Sequence, residues 1–238
     1  MRVYQQNSPT NLWTVSTVDY RAIEAQQKSF SAVGVLQSRS VAISAGADPT
    51  RAQSGWASAG FFRALGIEPV RGRGIEPADE VVGAPPVVVI GYRFAVRTFG
   101  DDRAAVGRTI TIDGIAFTVI GVLPPSVTDL AGRRAEIWPA LQLRPPERRG
   151  PFGLLVIGRL TPNATLESAR QDLAGISERI FPEWAAELPG QDGASYSLPT
   201  ADGGAGEFGN RCSPSSPPRS VWCCSLPSPM SRASCWSG

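Results

Sequence analysis

Apolar and polar positions alternate most regularly at Thr109-Ile-Thr-Ile112, where Ile110 and Ile112 face one way and the two threonines the other. This is the period of a half-buried strand. Asp113-Gly114 follows, a dipeptide that takes positive φ at both central positions of a two-residue type I′ turn. A hairpin is therefore predicted, with its return strand over residues 116–122. Pro124-Pro125 ends that strand, because proline has no amide hydrogen to give a ladder.

The same reading predicts the other elements. Residues 2–5 form a short strand. Ser16 or Thr17 caps a helix over 18–27, whose apolar face is Val18, Ala22 and Ala25, with Tyr20 and Ile23 beside it. Residues 30–36 and 41–44 read as two strands. Residues 51–58 read as a third, which leads into a short helix over 60–65 that Gly66 closes. Val87-Val-Val-Ile90 is a continuous apolar run, suited to a strand buried on both faces. A helix over 92–99 ends at Gly100. Residues 123–151 are loop-rich, with Ile137-Trp-Pro-Ala-Leu141 as the apolar anchor and Trp138 as core. Arg144-Pro-Pro-Glu-Arg-Arg149 is a proline-stiffened basic surface loop. A strand over 154–160 and a turn capped by Thr165 precede the strongest amphipathic helix, with Leu166, Ala169, Leu173, Ile176 and Ile180 on one stripe and Pro182 as its end. Residues 195–198 form a last strand. Asn163-Ala-Thr165 fits the glycosylation acceptor pattern, a triplet that also arises by chance.

This order gives strand–helix–strand at the front, strands in the middle and strand–helix–strand at the back. An α+β fold follows, with one lobe split between residues 1–37 and 152–200 and a β-rich lobe, 38–151, inserted in it.

Composition narrows the chemistry. The chain of 238 residues has a net charge of +2 and no histidine. So balanced a charge argues against a nucleic-acid surface. Without histidine, the commonest general base and the Ser/His and Cys/His nucleophile pairs are excluded. No run of apolar residues is long enough to span a bilayer, and no signal-peptide core follows Met1. All four cysteines, Cys212, Cys223, Cys224 and Cys235, lie near the C-terminus, without zinc-site spacing.

Few residues remain as candidates for a site. Pro69-Val-Arg-Gly-Arg-Gly74 has glycines and arginines but lacks the Gly-Lys-Ser/Thr end of a phosphate loop, so it reads as a surface turn. Glu76, Asp79 and Glu80 fit local ion pairing better than a metal site, which needs further oxygen ligands. A hydrolase would have to use Ser54 or Ser58 as nucleophile, or Glu76 and Asp79 as a carboxylate pair.

Several motifs, in order, resemble the MacB-like periplasmic core domain of FtsX/MacB-type ABC transporter permeases, including the duplicated orphan permease group. They span about residues 10–198: Ser16-Thr-Val-Asp-Tyr20 with Gln27 and Phe30; Ser58-Ala-Gly-Phe-Phe-Arg-Ala-Leu-Gly66 with Pro69 and Gly72-Arg73; Val87-Val-Val-Ile90 with Phe99-Gly100-Asp101; Val106 to Gly114 with Phe117 to Val122 and Pro124; Ile137-Trp-Pro139; and Gly158-Arg-Leu-Thr-Pro162 with the helix after it. Phe94 stands where the pattern often carries tryptophan and Ile75 where it usually carries an aromatic, both apolar exchanges. The resemblance implies a porter-like split lobe and a non-catalytic domain outside the cell membrane, with no catalytic residue, cofactor or metal. The implied partners are the membrane helices of the parent permease, a cytoplasmic ATP-binding subunit and a second copy in a homodimer, with no nucleic acid. The implied role is to couple ATP-driven motion to export or to an outer partner. The alternatives are a free-standing extracytoplasmic binding module and, behind it, a hydrolase.

Residues 201–238 are expected to be a disordered tail translated out of frame, which makes the chain a truncated fragment. Cys and Trp codons begin with T, and so do most Ser codons. Read from the third base of each codon, that T becomes a middle base, which encodes apolar residues. Residues 222–238 then re-read as a run of Val, Leu and Ala, the composition of a membrane span. Gene sequencing is expected to find apolar, permease-like sequence in another frame downstream; polar or stop-rich sequence there would refute the slip.

Overall fold

The computed structural model describes residues 1–8, 11–45, 48–127, 129–130, 134–147, 150–184 and 195–197. The tail expected over 201–238, with its four cysteines, lies outside the described residues.

The chain begins with β1 (Arg2–Ser8), β2 (Asn11–Trp13) and β3 (Val15–Ser16), followed by α1 (Thr17–Gln26). Ser16 caps α1: its Oγ accepts from the Asp19 amide at 3.2 Å and donates to Asp19 Oδ2 at 2.6 Å. Val18, Tyr20 and Ile23 of the predicted face are buried and Ala22 is half-buried; the departures are Ala25, which is exposed, and Asp19, which is enclosed with its cap partner.

β4 (Phe30–Ser44) is one strand of 15 residues, not the two predicted. Gln37 to Ser40 are polar because they face outward. Their backbone continues the ladder with β5 (Thr50–Ala57), from Leu36 opposite Ala57 to Ile43 opposite Thr50. α2 (Ala59–Leu65) follows, and Gly66 closes it in the left-handed conformation. The short β6 (Arg71–Gly72) leads to a 3₁₀ turn, Pro77–Glu80. β7 (Val87–Ile90) is buried along its whole length, as its apolar run predicts, and runs into α3 (Tyr92–Phe99).

The predicted hairpin is β8 (Thr109–Ile112) and β9 (Ile115–Val122), with φ of 47° at Asp113 and 83° at Gly114. β10 (Ile137–Pro139), β11 (Phe152–Leu160), α4 (Leu166–Trp184) and β12 (Ser195–Ser197) complete the order. Ala169, Leu173, Ile176 and Ile180 of α4 are buried, each worth up to about 3 kcal/mol depending on size. α4 does not stop at Pro182 but reaches Trp184. Proline's fixed φ is already helical, and in the last turn it forfeits a single hydrogen bond.

The strands form one sheet in the order β12-β1-β11-β4-β5-β10-β7-β9-β6. Helices cover both faces of its first half. Val33 and Val35 of β4 and Leu154 and Val156 of β11 face α1 and α4, whereas Leu36, Leu155 and Ile157 join the cluster that contains α2. In the second half the sheet returns on itself. β8 pairs with β9 and also with the end of β4, Ile43 opposite Ile112, so β4, β5, β10, β7, β9 and β8 make a closed ring. Val41, Ile43, Val88, Ile90, Ile110, Ile112, Phe117 and Val119 belong to its core.

Two glycine positions separate two kinds of constraint. A Cβ on Gly34 would strike the backbone of Phe61, whereas one on Gly114 meets open space and only the left-handed φ is at stake. Gly34→Ala is expected to lower the urea unfolding free energy by about 3 kcal/mol, the upper end for overpacking. Gly114→Val is expected to lower it by about 1–2 kcal/mol, the left-handed penalty for a side-chain-bearing residue. Equal losses, or none, would show the backbone contact or the turn to be misassigned.

Candidate functional site

The serines and carboxylates singled out from the sequence are all engaged in holding backbone. Ser54, in the middle of β5, is 1% exposed and donates from Oγ to the Arg39 carbonyl at 3.0 Å. Ser58, at the N-cap of α2, is equally buried and accepts from the Val35 amide at 2.9 Å. Asp79 receives Arg73 through both guanidinium nitrogens, at 2.6 and 2.9 Å, and the Glu76 amide at 2.8 Å. Arg73 holds the Asp79 carboxyl below the usual carboxylate range, the opposite of what a general acid needs. Glu76 closes a capping box with Asp79 at the start of the 3₁₀ turn. The local ion pairing expected for this acidic run is thus present, and the glycine-arginine loop before it is a turn that contains β6.

The structure places a different polar group where the N-terminal unit meets the middle of the chain. The Tyr20 hydroxyl of α1 donates to Glu24 Oε1 at 2.7 Å, with Ser58 alongside. Burial pushes the Tyr20 phenol up from its ordinary value, so it stays a neutral donor. Glu80, at the end of the 3₁₀ turn, accepts from the Ala59 amide in the first turn of α2. Burial pushes its carboxyl above the usual range, and the Glu24 charge adds to this, opposed by the Ala59 hydrogen bond and by Arg21 and Arg63. Tyr20 and Glu24 of α1 thus face Ser58 at the β5–α2 corner and Glu80 of the 3₁₀ turn. Sequence reasoning missed this arrangement, since nothing local at Glu80 signals a partner 21 residues earlier.

A second fastening joins β11 and α4 to earlier parts of the chain. Asp172 of α4 accepts from the amides of Lys28 and Ser29 at 2.7 and 3.0 Å. Arg159 of β11 donates to the Ala64 carbonyl of α2 at 3.0 Å. Among the described residues no cluster of three or more metal-binding side chains occurs, and no helix is long and apolar enough to cross a membrane.

Residues 1–176 match the family model described as the MacB-like periplasmic core domain. The chain belongs to this family of extracytoplasmic domains found in ABC-type transporter permeases. Among solved structures, the periplasmic region of MacB from Actinobacillus actinomycetemcomitans aligns with a TM-score of 0.57 and 15% identity, covering 82% of this chain and 86% of that one. The extracellular domain of the noncanonical ABC-type transporter YknZ from Gram-positive bacteria aligns with a TM-score of 0.59 and 13% identity, over 84% and 99% of the two chains. A domain of a permease protein from Porphyromonas gingivalis gives a TM-score of 0.60 and 17% identity, over 85% and 93%. At these identities the likeness is one of fold. No protein of curated function matches the sequence.

Glu80 yields a pH prediction. Its folded pKa is raised, so its stabilising effect is complete below the unfolded value and declines as pH rises through the folded one. Urea unfolding at about pH 4 and about pH 7 is expected to show wild type losing stability relative to Glu80→Gln as pH rises from its ordinary carboxylate value. Glu80→Ala is expected to cost about 1 kcal/mol at about pH 4, through the lost cap on α2, and less at about pH 7. A pH-independent difference between wild type and the glutamine variant would place Glu80 in solvent.

Proposed function

We propose that the chain is the extracytoplasmic domain of an ABC transporter permease, and that it transmits motion rather than performing chemistry. ATP binding in a cytoplasmic subunit would shift the membrane helices to which such a domain is joined. The domain would pass that shift to exported cargo or to an outer partner, and would stand beside a second copy of itself in a homodimer. It would act as two bodies, a split lobe of residues 1–37 and 152–200 and the inserted β-rich lobe of 38–151.

The observation that carries this reading is the polar contact of Tyr20, Glu24, Ser58 and Glu80. It brings α1, of the first body, against the β5–α2 corner and the 3₁₀ turn, of the second. A boundary between packed elements is where a shear motion can take place. Two apolar clusters follow the split, one drawing on Val3 to Val35 and Leu154 to Ile180 with Leu141 from the middle, the other on Val41 to Ile137. A third crosses it, joining Leu36, Leu155 and Ile157 to Phe61, Phe62 and Trp138. A hydrolase is disfavoured, because Ser54 and Ser58 are enclosed and bound to backbone and no histidine exists to activate them.

Cell fractionation tests the placement. An epitope inserted beside Glu147, in the exposed loop, is expected to be reached by antibody on the outer side of the cytoplasmic membrane and to co-purify with an ATP-binding subunit. A tag reached solely after the cytoplasm is opened, in a product free of any ATPase, would overturn the reading.

A further inference from the structure

β5 begins before its neighbour does. Ile137, the first residue of β10, lies opposite Ser54, so the start of β5 extends beyond β10. On the other side of β10, the parallel strands β7 and β9 both end at this level, with Leu123 donating to the Ile90 carbonyl at 2.8 Å. β7 then turns into α3 at Gly91, and β9 gives way to the segment that holds Pro125 and Val127. An open cavity of about 370 Å³ occupies the space between these ends.

Its lining has two characters. Tyr92, Phe94, Val127 and Trp138 supply apolar and aromatic surface. Arg51, Arg93 and Arg134 supply charge; all three are exposed, and none has an ion-pair or hydrogen-bond partner among the described residues. Glu136 is the one carboxylate in the lining, and it is already taken. Arg97 holds it through two hydrogen bonds of 2.9 and 2.8 Å. The cavity is left with three uncompensated guanidinium groups beside an aromatic wall.

We propose that this cavity binds a small organic anion, with its carboxylate or similar head on the arginines and a flat apolar body against Tyr92, Phe94 and Trp138. Three like charges around one hollow repel each other and favour a counter-charge between them. Guanidinium is the side chain best shaped for a planar two-oxygen anion. The volume lies in the range of small-molecule sites. The proposal does not depend on the transport reading; a free-standing binding protein would use the site equally well.

Isothermal titration of the full chain with naphthoate tests it, with naphthalenemethanol as the neutral isostere and acetate as the head without a body. Saturable one-to-one naphthoate binding is expected. It should weaken about tenfold or more for the isostere and for the Arg51→Gln/Arg93→Gln/Arg134→Gln variant, where a charge-assisted pair is lost, and for acetate, where the contact with the aromatic wall is lost. The replaced side chains are exposed, so an unchanged melting temperature and circular dichroism spectrum should accompany the loss. Should the triple variant fold poorly, Arg93→Gln alone supplies the same comparison. Absence of saturable binding, equal affinity for the isostere or acetate, or binding that survives removal of the arginines would overturn the proposal.

Discussion

Gly60 lies against the Val33 carbonyl, and Gly34 lies against the backbone of Phe61. This is backbone meeting backbone, with no side chain between strand and helix. The rest of the architecture follows from that approach. With α2 drawn onto β4, Phe61 and Phe62 enter the cluster formed by Leu36, Trp138, Leu155 and Ile157, and their rings stack edge to face, 5.5 Å apart. The helix start is brought to the place where Ser58 meets the Val35 amide and Glu80 meets the Ala59 amide. A methyl group at either glycine would have to move a whole element, since backbone cannot rotate aside as a side chain can.

β4 carries the two halves of the sheet on one continuous backbone. Its first residues pair with β11 and its last with β5 and β8, so displacement at one end reaches the other through a rigid ladder. The turn of the hairpin fastens that far end. Asp113 donates from its amide to the Ala42 carbonyl at 2.9 Å, and its carboxylate accepts from the Ala42 amide at 2.8 Å. The residue that makes the turn possible is therefore also the latch of the strand ring. A free β8 edge would offer unpaired amides to any passing strand; here part of it is covered.

Where a property is written in consecutive residues, the sequence shows it. The Ile110/Ile112 alternation, the Asp113-Gly114 turn, the buried Val87–Ile90 run and the stripe of α4 all depend on neighbours a few positions away, and all are present. The resemblance to a permease domain rests on the same local signals, in order. What could not be read depends on distant partners. Gln37 to Ser40 look like a break because their side chains are polar, yet the pairing with β5 keeps them in the strand. Asp19 looks like a solvent residue and is buried. The attachment of Asp113 to β4 spans 71 positions and that of Asp172 to Lys28 spans 144, and no periodicity signals either. The cavity, likewise, is assembled from β5, α3, β10 and the connection between β9 and β10, segments that have no common motif.

The first strand has a further consequence, for the time at which the molecule becomes whole. Met1 and Gly158 exchange hydrogen bonds of 2.7 and 2.9 Å across 157 positions, and β1 lies between β11 and β12. A chain emerging from a ribosome or a translocation channel holds its opening residues without a partner until β11 arrives. The ring from β4 to β10 needs no residue beyond Pro139 and can close earlier. Contacts of such long range are the slow ones in folding, because the loop must close before they contribute. The ring strands can thus offer a template before β11 and α4 are present, and the outer layer, in which α4 packs against α1, depends on residues made later.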